Sequence, residues 1–221
     1  MHIEPGLVAP AKVAIANVGA IAIFAWGFKE QVKEFLKQPW ILMKSLLAAA
    51  FFSLFMQSYS IPIGPSELHF VGAMAMYLTL GFTPTLLGFG AGLLFQGIAF
   101  DPGDLVHLGV NSLTLMLPLI TTHYVSGRQY FQEALSKRLS WFNIVKLDAI
   151  YYVGVSGMVG FWLLVGDVAT PFASWAAFMA SYMVLVVLEP VVTFAAVKGL
   201  KAFEDTKIVA RLTSVRSLTI S

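Results

Sequence analysis

Seven long apolar runs, separated by short polar segments, constrain this chain more than any other feature. They are Pro10–Phe28, Ile41–Tyr59, His69–Leu80, Pro84–Phe100, Leu105–Val125, Ile144–Gly166 and Pro171–Val197. A helix needs about 20 apolar residues to cross about 30 Å of hydrocarbon. The third and fourth runs are short, and Gly81-Phe82-Thr83-Pro84 reads as a turn between them. The rest of the sequence agrees with a chain solvated by lipid. Hydrophobic residues make up 58% and charged residues 12%, against about 25% charged in soluble domains. The mean hydropathy is +0.79. Such a chain cannot cover itself with polar groups in water, whereas in lipid its surface can be as apolar as its core. The expectation is an all-α polytopic membrane bundle of seven transmembrane helices over residues 1–198. A basic cytoplasmic tail follows over 199–221.

Basic residues choose between seven spans and a version in which runs three and four merge. Lysine and arginine favour the cytoplasmic side. They fall in three clusters: Lys29, Lys33, Lys37 and Lys44; Arg128, Lys137, Arg138 and Lys146; and Lys198, Lys201, Lys207, Arg211 and Arg216. Seven spans with the N-terminus outside and the C-terminus inside put all three on one side, leaving only Lys12 opposite. Merging the two runs would split the clusters. The expected location is therefore a bacterial inner membrane, multi-pass. The opposite face then carries His2, Glu4, Glu67, His69, Asp101, Asp104 and Asp167, with His107 just below it. That acidic, imidazole-bearing rim favours cations over anions.

Composition also excludes chemistries. Without cysteine there is no thiolate metal site, disulfide or cysteine nucleophile. A net charge of +2 gives no reason to expect nucleic acid as a partner. The sequence has neither a phosphate-binding Gly-x-x-x-x-Gly-Lys-[Ser/Thr] motif nor His-Glu-x-x-His. It is read as a non-enzyme that takes any ATP-derived energy from other chains. No basic region precedes the first apolar run, so a cleavable leader is not expected. His2 is too large to permit removal of Met1, and a free α-amine on Met1 is expected.

That amine matters because of the residue after it. In Met1-His2 the α-amine, the His2 amide nitrogen once deprotonated, and an imidazole nitrogen form fused chelate rings about one ion. A further imidazole completes an all-nitrogen square, which suits Ni(II) and Cu(II) and admits Co(II). The second piece is the Gly- and Pro-rich stretch Ile61-Pro62-Ile63-Gly64-Pro65-Ser66-Glu67-Leu68-His69, read as an outer loop running into the third helix. Ser66 is its expected N-cap, and His69 falls in the first turn, facing either the headgroups or the protein interior.

Together these pieces resemble the CbiM/NikM proteins, the metal-specificity subunits of energy-coupling-factor (ECF-type) cobalt and nickel transporters. The resemblance rests on Met1-His2-Ile3, on the Gly-Pro-Ser…His loop, and on Leu108-Gly109-Val110-Asn111-Ser112-Leu113. It implies a substrate-capture subunit that binds Ni(II) or Co(II) through Met1, His2 and His69, with no cofactor beyond the transported ion. It also implies a transmembrane coupling subunit, cytoplasmic ATPase subunits and a small accessory membrane subunit as partners. The loop departs from the family's usual Gly-Thr-Ser-Gly-His by one extra residue and an acid, as in a divergent branch. Glu4, Ser66 and Glu67 are candidate auxiliary residues.

Asp104, His107 and Asn111 are spaced to share a helix face. His107 and Asn111 are expected to hydrogen-bond the N-terminal strand or a ligand imidazole, or to make a plain interhelical contact. Glu189 lies inside the last run, where an acid is a functional candidate by default. A structural hydrogen bond or a coupling role is favoured over a metal site there. His123 reads as interfacial. Small-residue pairs recur at Ala16/Ala20, Ala49/Ser53, Gly88/Gly92 and Ser156/Gly160, the spacing of close helix packing. The helix-one pair is also a candidate docking stripe. The alternatives are a vitamin-type subunit of the same transporter class, which would not need Met1-His2, and a haem-binding electron carrier using His107 and His123.

Overall fold

The computed structural model describes residues 3, 6–58, 60–63, 66–132 and 137–220. The chain forms helices α1 (Pro10–Phe35), α2 (Ile41–Ser58), α3 (Ala73–Leu80), α4 (Phe82–Ala99), α5 (Leu108–Thr122), α6 (Trp141–Val165), α7 (Phe172–Lys201) and α8 (Lys207–Leu212). An antiparallel hairpin of β1 (Ser60–Ile63) and β2 (Ser66–His69) links α2 to α3. Two-residue strands β3 (Arg138–Leu139) and β4 (Thr219–Ile220) pair in parallel. Among the described residues, six helical segments are long and apolar enough to cross a membrane. The protein is a multi-pass membrane protein.

The third run differs from expectation. Only eight residues are helical, about 12 Å of rise, and every one of them is buried. The preceding residues form the hairpin, so His69 sits in strand β2 rather than in a first helical turn. Ser66, the expected N-cap, lies in strand β2, six residues before the helix N-cap. The N-cap is Gly72, at φ +64°. Glycine is required there twice over, because a Cβ would lie 2.5 Å from the Phe55 ring in a conformation that L-residues avoid.

Hairpin and short helix together still carry the chain across. Gly88 faces Ala48, Gly92 faces Phe52, and Gln57 Nε2 donates to Gln96 Oε1 at 2.8 Å. Helices α2 and α4 therefore run parallel, and the intervening segment must return from one end of the bundle to the other. Non-helical backbone is tolerated at this depth because protein surrounds it: Leu68, His69 and Val71 are buried.

The small-residue pairs serve internal packing. A Cβ on Gly88 would approach that of Ala48 to 2.4 Å, so α2 and α4 meet almost backbone to backbone. Ala16 and Ala20 are buried against Val110 and Leu113 of α5. The stripe on α1 considered for docking is thus an inner seam.

The three basic clusters meet at one end. Lys44 Nζ donates to Ser214 Oγ at 3.2 Å, Lys201 Nζ donates to the Val215 carbonyl at 3.2 Å, and the strand holding Arg138 pairs with the one holding Thr219. The tail packs onto this end, with Val215 and Leu218 buried and the Ser214 N–H donating to the Thr79 carbonyl at 2.6 Å. At the opposite end Lys12, the exception among the basic residues, donates to Asp167 at 2.8 Å.

Candidate metal centre

Residue 3 is anchored at that opposite end. The Ile3 N–H donates to Asn111 Oδ1 at 3.1 Å, and His107 Nδ1 donates to the Ile3 carbonyl at 3.0 Å. The Ile3 side chain, 1% exposed, packs with Val8, Val13, Val110 and Trp162. Both anchors are buried. They come from different elements: His107 ends a tight 3-10 turn over Pro102–His107, and Asn111 lies in the first turn of α5. Of the three residues expected on one helix face, these two converge on Ile3. Asp104 belongs to the turn, whose Gly103 N–H donates to the Asp101 side chain.

His69 is buried, 5% exposed. Its Nδ1 lies 3.0 Å from the Met56 carbonyl in the last turn of α2. A carbonyl only accepts, so Nδ1 carries a proton and Nε2 is the nitrogen available for coordination. A metal-binding histidine is held in this way, its second nitrogen donating to a fixed oxygen. Nε2 faces Glu67 Oε2 at 2.9 Å. A metal ion at Nε2 would displace Glu67 from that contact. The Glu67 side chain is 37% exposed, which gives it room to swing aside. Met1, His2 and Glu4 lie outside the described residues.

Glu189 of α7 is buried and reaches the N-terminus of α3. It accepts from the Met74 N–H at 3.0 Å and from the Tyr152 hydroxyl, and the N–H groups of Gly72 and Ala73 point to the same carboxylate. A carboxylate here satisfies orphan helix N–H groups and complements the helix dipole. It thereby fixes the start of α3 and, three residues upstream of Gly72, the strand bearing His69. The structural hydrogen bond favoured for Glu189 is present. Sequence reasoning missed Asp148 of α6, fully buried one helical turn before Tyr152. The available signal was an acid within the apolar run 144–166.

His123 lies toward the basic end, stacked on Phe82 at 4.0 Å and 2.9 Å from the Tyr77 hydroxyl. With His107 committed to Ile3, neither histidine of the haem alternative faces a shared site.

The family profile for a cobalt uptake substrate-specific transmembrane region, CbiM, matches residues 2–206. The chain belongs to the CbiM family. A relative from Haemophilus influenzae (strain ATCC 51907 / DSM 11121 / KW20 / Rd), provisionally named a metal transport protein, is 29% identical over 171 residues, covering 76% of each chain. A crystal structure of a transition metal transporter superposes with a TM-score of 0.71 at 22% identity, over 95% of this chain and 96% of that one. That likeness establishes a shared fold. Membership of the CbiM family makes this protein a membrane component of metal uptake. The resemblance carried by Met1-His2-Ile3, the Gly-Pro-Ser…His loop and Leu108-Gly109-Val110-Asn111-Ser112-Leu113 agrees with these matches.

Proposed function

We propose that this CbiM-family protein is the substrate-capture subunit of an energy-coupling-factor importer for Ni(II) or Co(II). The ion is held by the Met1 amine, the His2 amide and imidazole nitrogens, and His69 Nε2. The observation that carries this reading is the pairing of His69 Nδ1 with the Met56 carbonyl, which prepares one buried imidazole nitrogen for a metal. The anchoring of Ile3 by Asn111 and His107 adds to it. Two residues of extended chain reach about 7 Å, so a fixed Ile3 confines the amine to a small volume.

Capture replaces water by preorganised nitrogens and releases protons from the amide and from any protonated amine or imidazole. The basic end is then the cytoplasmic face. Its exposed lysines and arginines suit docking to a transmembrane coupling subunit and, through it, to ATPase subunits.

The test is metal analysis of untagged protein with its own N-terminus, beside His2→Ala and a variant extended by two residues before Met1. One tightly held Ni(II) or Co(II) per chain, lost in both variants, is expected. Retention of metal by the extended variant overturns the amine as a ligand.

A further inference from the structure

We propose that residues 213–220 form a strap that holds α3, and through it His69, in the capture position, and that must lift for a bound ion to pass inward. The consequence for the ion rests on the metal-capture reading above; the hold on α3 does not. α3 has eight residues, all buried, and is too short to cross the membrane. Its position is therefore set by what grips its ends. At the outer end Glu189 accepts from the Met74 N–H at 3.0 Å. At the inner end the grip is the strap. The Ser214 N–H donates to the Thr79 carbonyl at 2.6 Å, and the Ser214 hydroxyl donates to the Leu80 carbonyl at 3.0 Å. These are the last two carbonyls of α3, which a helix cannot pair within itself. Lys44 of α2, 7% exposed, donates to the same hydroxyl at 3.2 Å, and its ammonium complements the negative end of the helix dipole. The fit is close: at Gly81, φ +101°, a Cβ would stand 3.1 Å from Ser214 Oγ.

The strap is held differently on its two sides. Toward the bundle, Val215 and Leu218 are at most 1% exposed, and Leu218 joins the main core. Elsewhere the contacts are light. Arg138 pairs with Thr219 and Leu139 with Ile220 in a two-residue ladder. Arg216 meets Asp205 at 3.0 Å in an exposed ion pair, and Lys201 Nζ donates to the Val215 carbonyl at 3.2 Å. A lone two-strand pair is marginal, and an exposed ion pair contributes little. Elements that move are drawn from such weakly held segments. Lifting the strap disturbs no spanning helix, yet it takes from the Thr79 and Leu80 carbonyls the groups that donate to them. The inner end of α3 is then released, and β2 with His69 lies just before α3 in the chain. Arg138, Lys201 and Arg216 all belong to the basic end, so a chain docking there acts directly on the strap.

The sequence has no cysteine, so a lock can be introduced cleanly. Arg138 and Thr219 are partners in parallel strands, and neighbouring strands lie about 4.8 Å apart, within reach of a disulfide. Amide hydrogen exchange over residues 66–80 is measured on the full chain in detergent, without metal. Wild type is compared with Ser214→Ala and with Arg138→Cys/Thr219→Cys, oxidised and reduced. Ser214→Ala removes the hydrogen bond to the Leu80 carbonyl and is expected to speed exchange in α3 and β2 at least about 10-fold, with α6 unchanged. The oxidised cysteine pair is expected to exchange more slowly there than its reduced form. Should Ser214→Ala not fold, this comparison within one protein decides. Dissociation of Ni(II) into excess chelator is the second readout, expected to be faster in Ser214→Ala and slower in the oxidised pair. Equal exchange over 66–80 in all forms overturns the strap. So does exchange that quickens in every helix alike, which marks a plain loss of stability. An altered exchange pattern with an unaltered Ni(II) dissociation rate overturns the link from strap to ion. A wild type that binds neither Ni(II) nor Co(II) counts against the nitrogen centre instead, and the exchange measurement then decides the strap alone.

Discussion

His69 donates through Nδ1 to the carbonyl of Met56 at 3.0 Å, joining a strand of the buried hairpin to the last turn of α2. The contact selects the ring tautomer and ties the candidate ligand to a membrane-spanning helix rather than to a mobile loop. His69→Ala is therefore expected to lower Ni(II) or Co(II) affinity at least about 100-fold while leaving the bundle folded. Calorimetric titration of the purified protein, with Tm as the control, measures this.

Asn111 supplies the acceptor for Ile3. Truncation to alanine leaves a buried N–H unsatisfied and releases the start of the chain. Asn111→Ala is expected to weaken metal binding about 10- to 100-fold, whereas Asn111→Asp, which keeps the acceptor, retains most of it. Equal affinity in wild type and Asn111→Ala removes Asn111 from the site.

Metal capture requires deprotonated nitrogens, and Glu67 Oε2 lies 2.9 Å from His69 Nε2. Affinity is expected to fall with falling pH by about 10-fold per unit for each proton released. Glu67→Gln removes the anion that favours the protonated ring, so its affinity at low pH should exceed that of wild type. Titrations across the acidic range compare the two.

Gly72 combines φ +64° with a Cβ position 2.5 Å from Phe55. Gly72→Ala is expected to cost about 1–3 kcal/mol, and trimming Phe55 to leucine should recover only part of it, because the backbone conformation remains strained. Denaturation in detergent reads both effects. The α2–α4 seam gives a parallel case at Gly88, where alanine would meet Ala48 at 2.4 Å.

Residues 60–80 return the chain from the far end of α2 to the near end of α4, so the two termini of the bundle fall at opposite ends. With the basic end cytoplasmic, a reporter fused after Ser221 is expected to be active only as a cytoplasmic fusion. A periplasmic signal would invert the topology and move His69 to the inner face.

Much of the architecture is legible in sequence because lipid imposes a one-dimensional code. Apolar length marks the spans, and the three lysine and arginine clusters, gathered at one end in the structure, mark the parity of crossings. His69, His107 and Asn111 were identifiable as rare polar groups at the borders of apolar runs. What remained hidden depends on partners distant in sequence. Nothing local tells that 60–69 folds inward as a hairpin. That arrangement is held by Met56, Phe55 and Glu189, and Glu189 lies 115 residues from the Met74 N–H it accepts from. Nor does spacing reveal that Tyr152 meets Glu189, since that follows from the packing of α6 on α7. The sequence by itself determined a multi-pass bundle and its polar inventory, through hydrophobic length and charge asymmetry. Tertiary structure alone decided which polar groups share an enclosure, because a buried hydrogen bond or charge is satisfied by whatever packing brings near it in space.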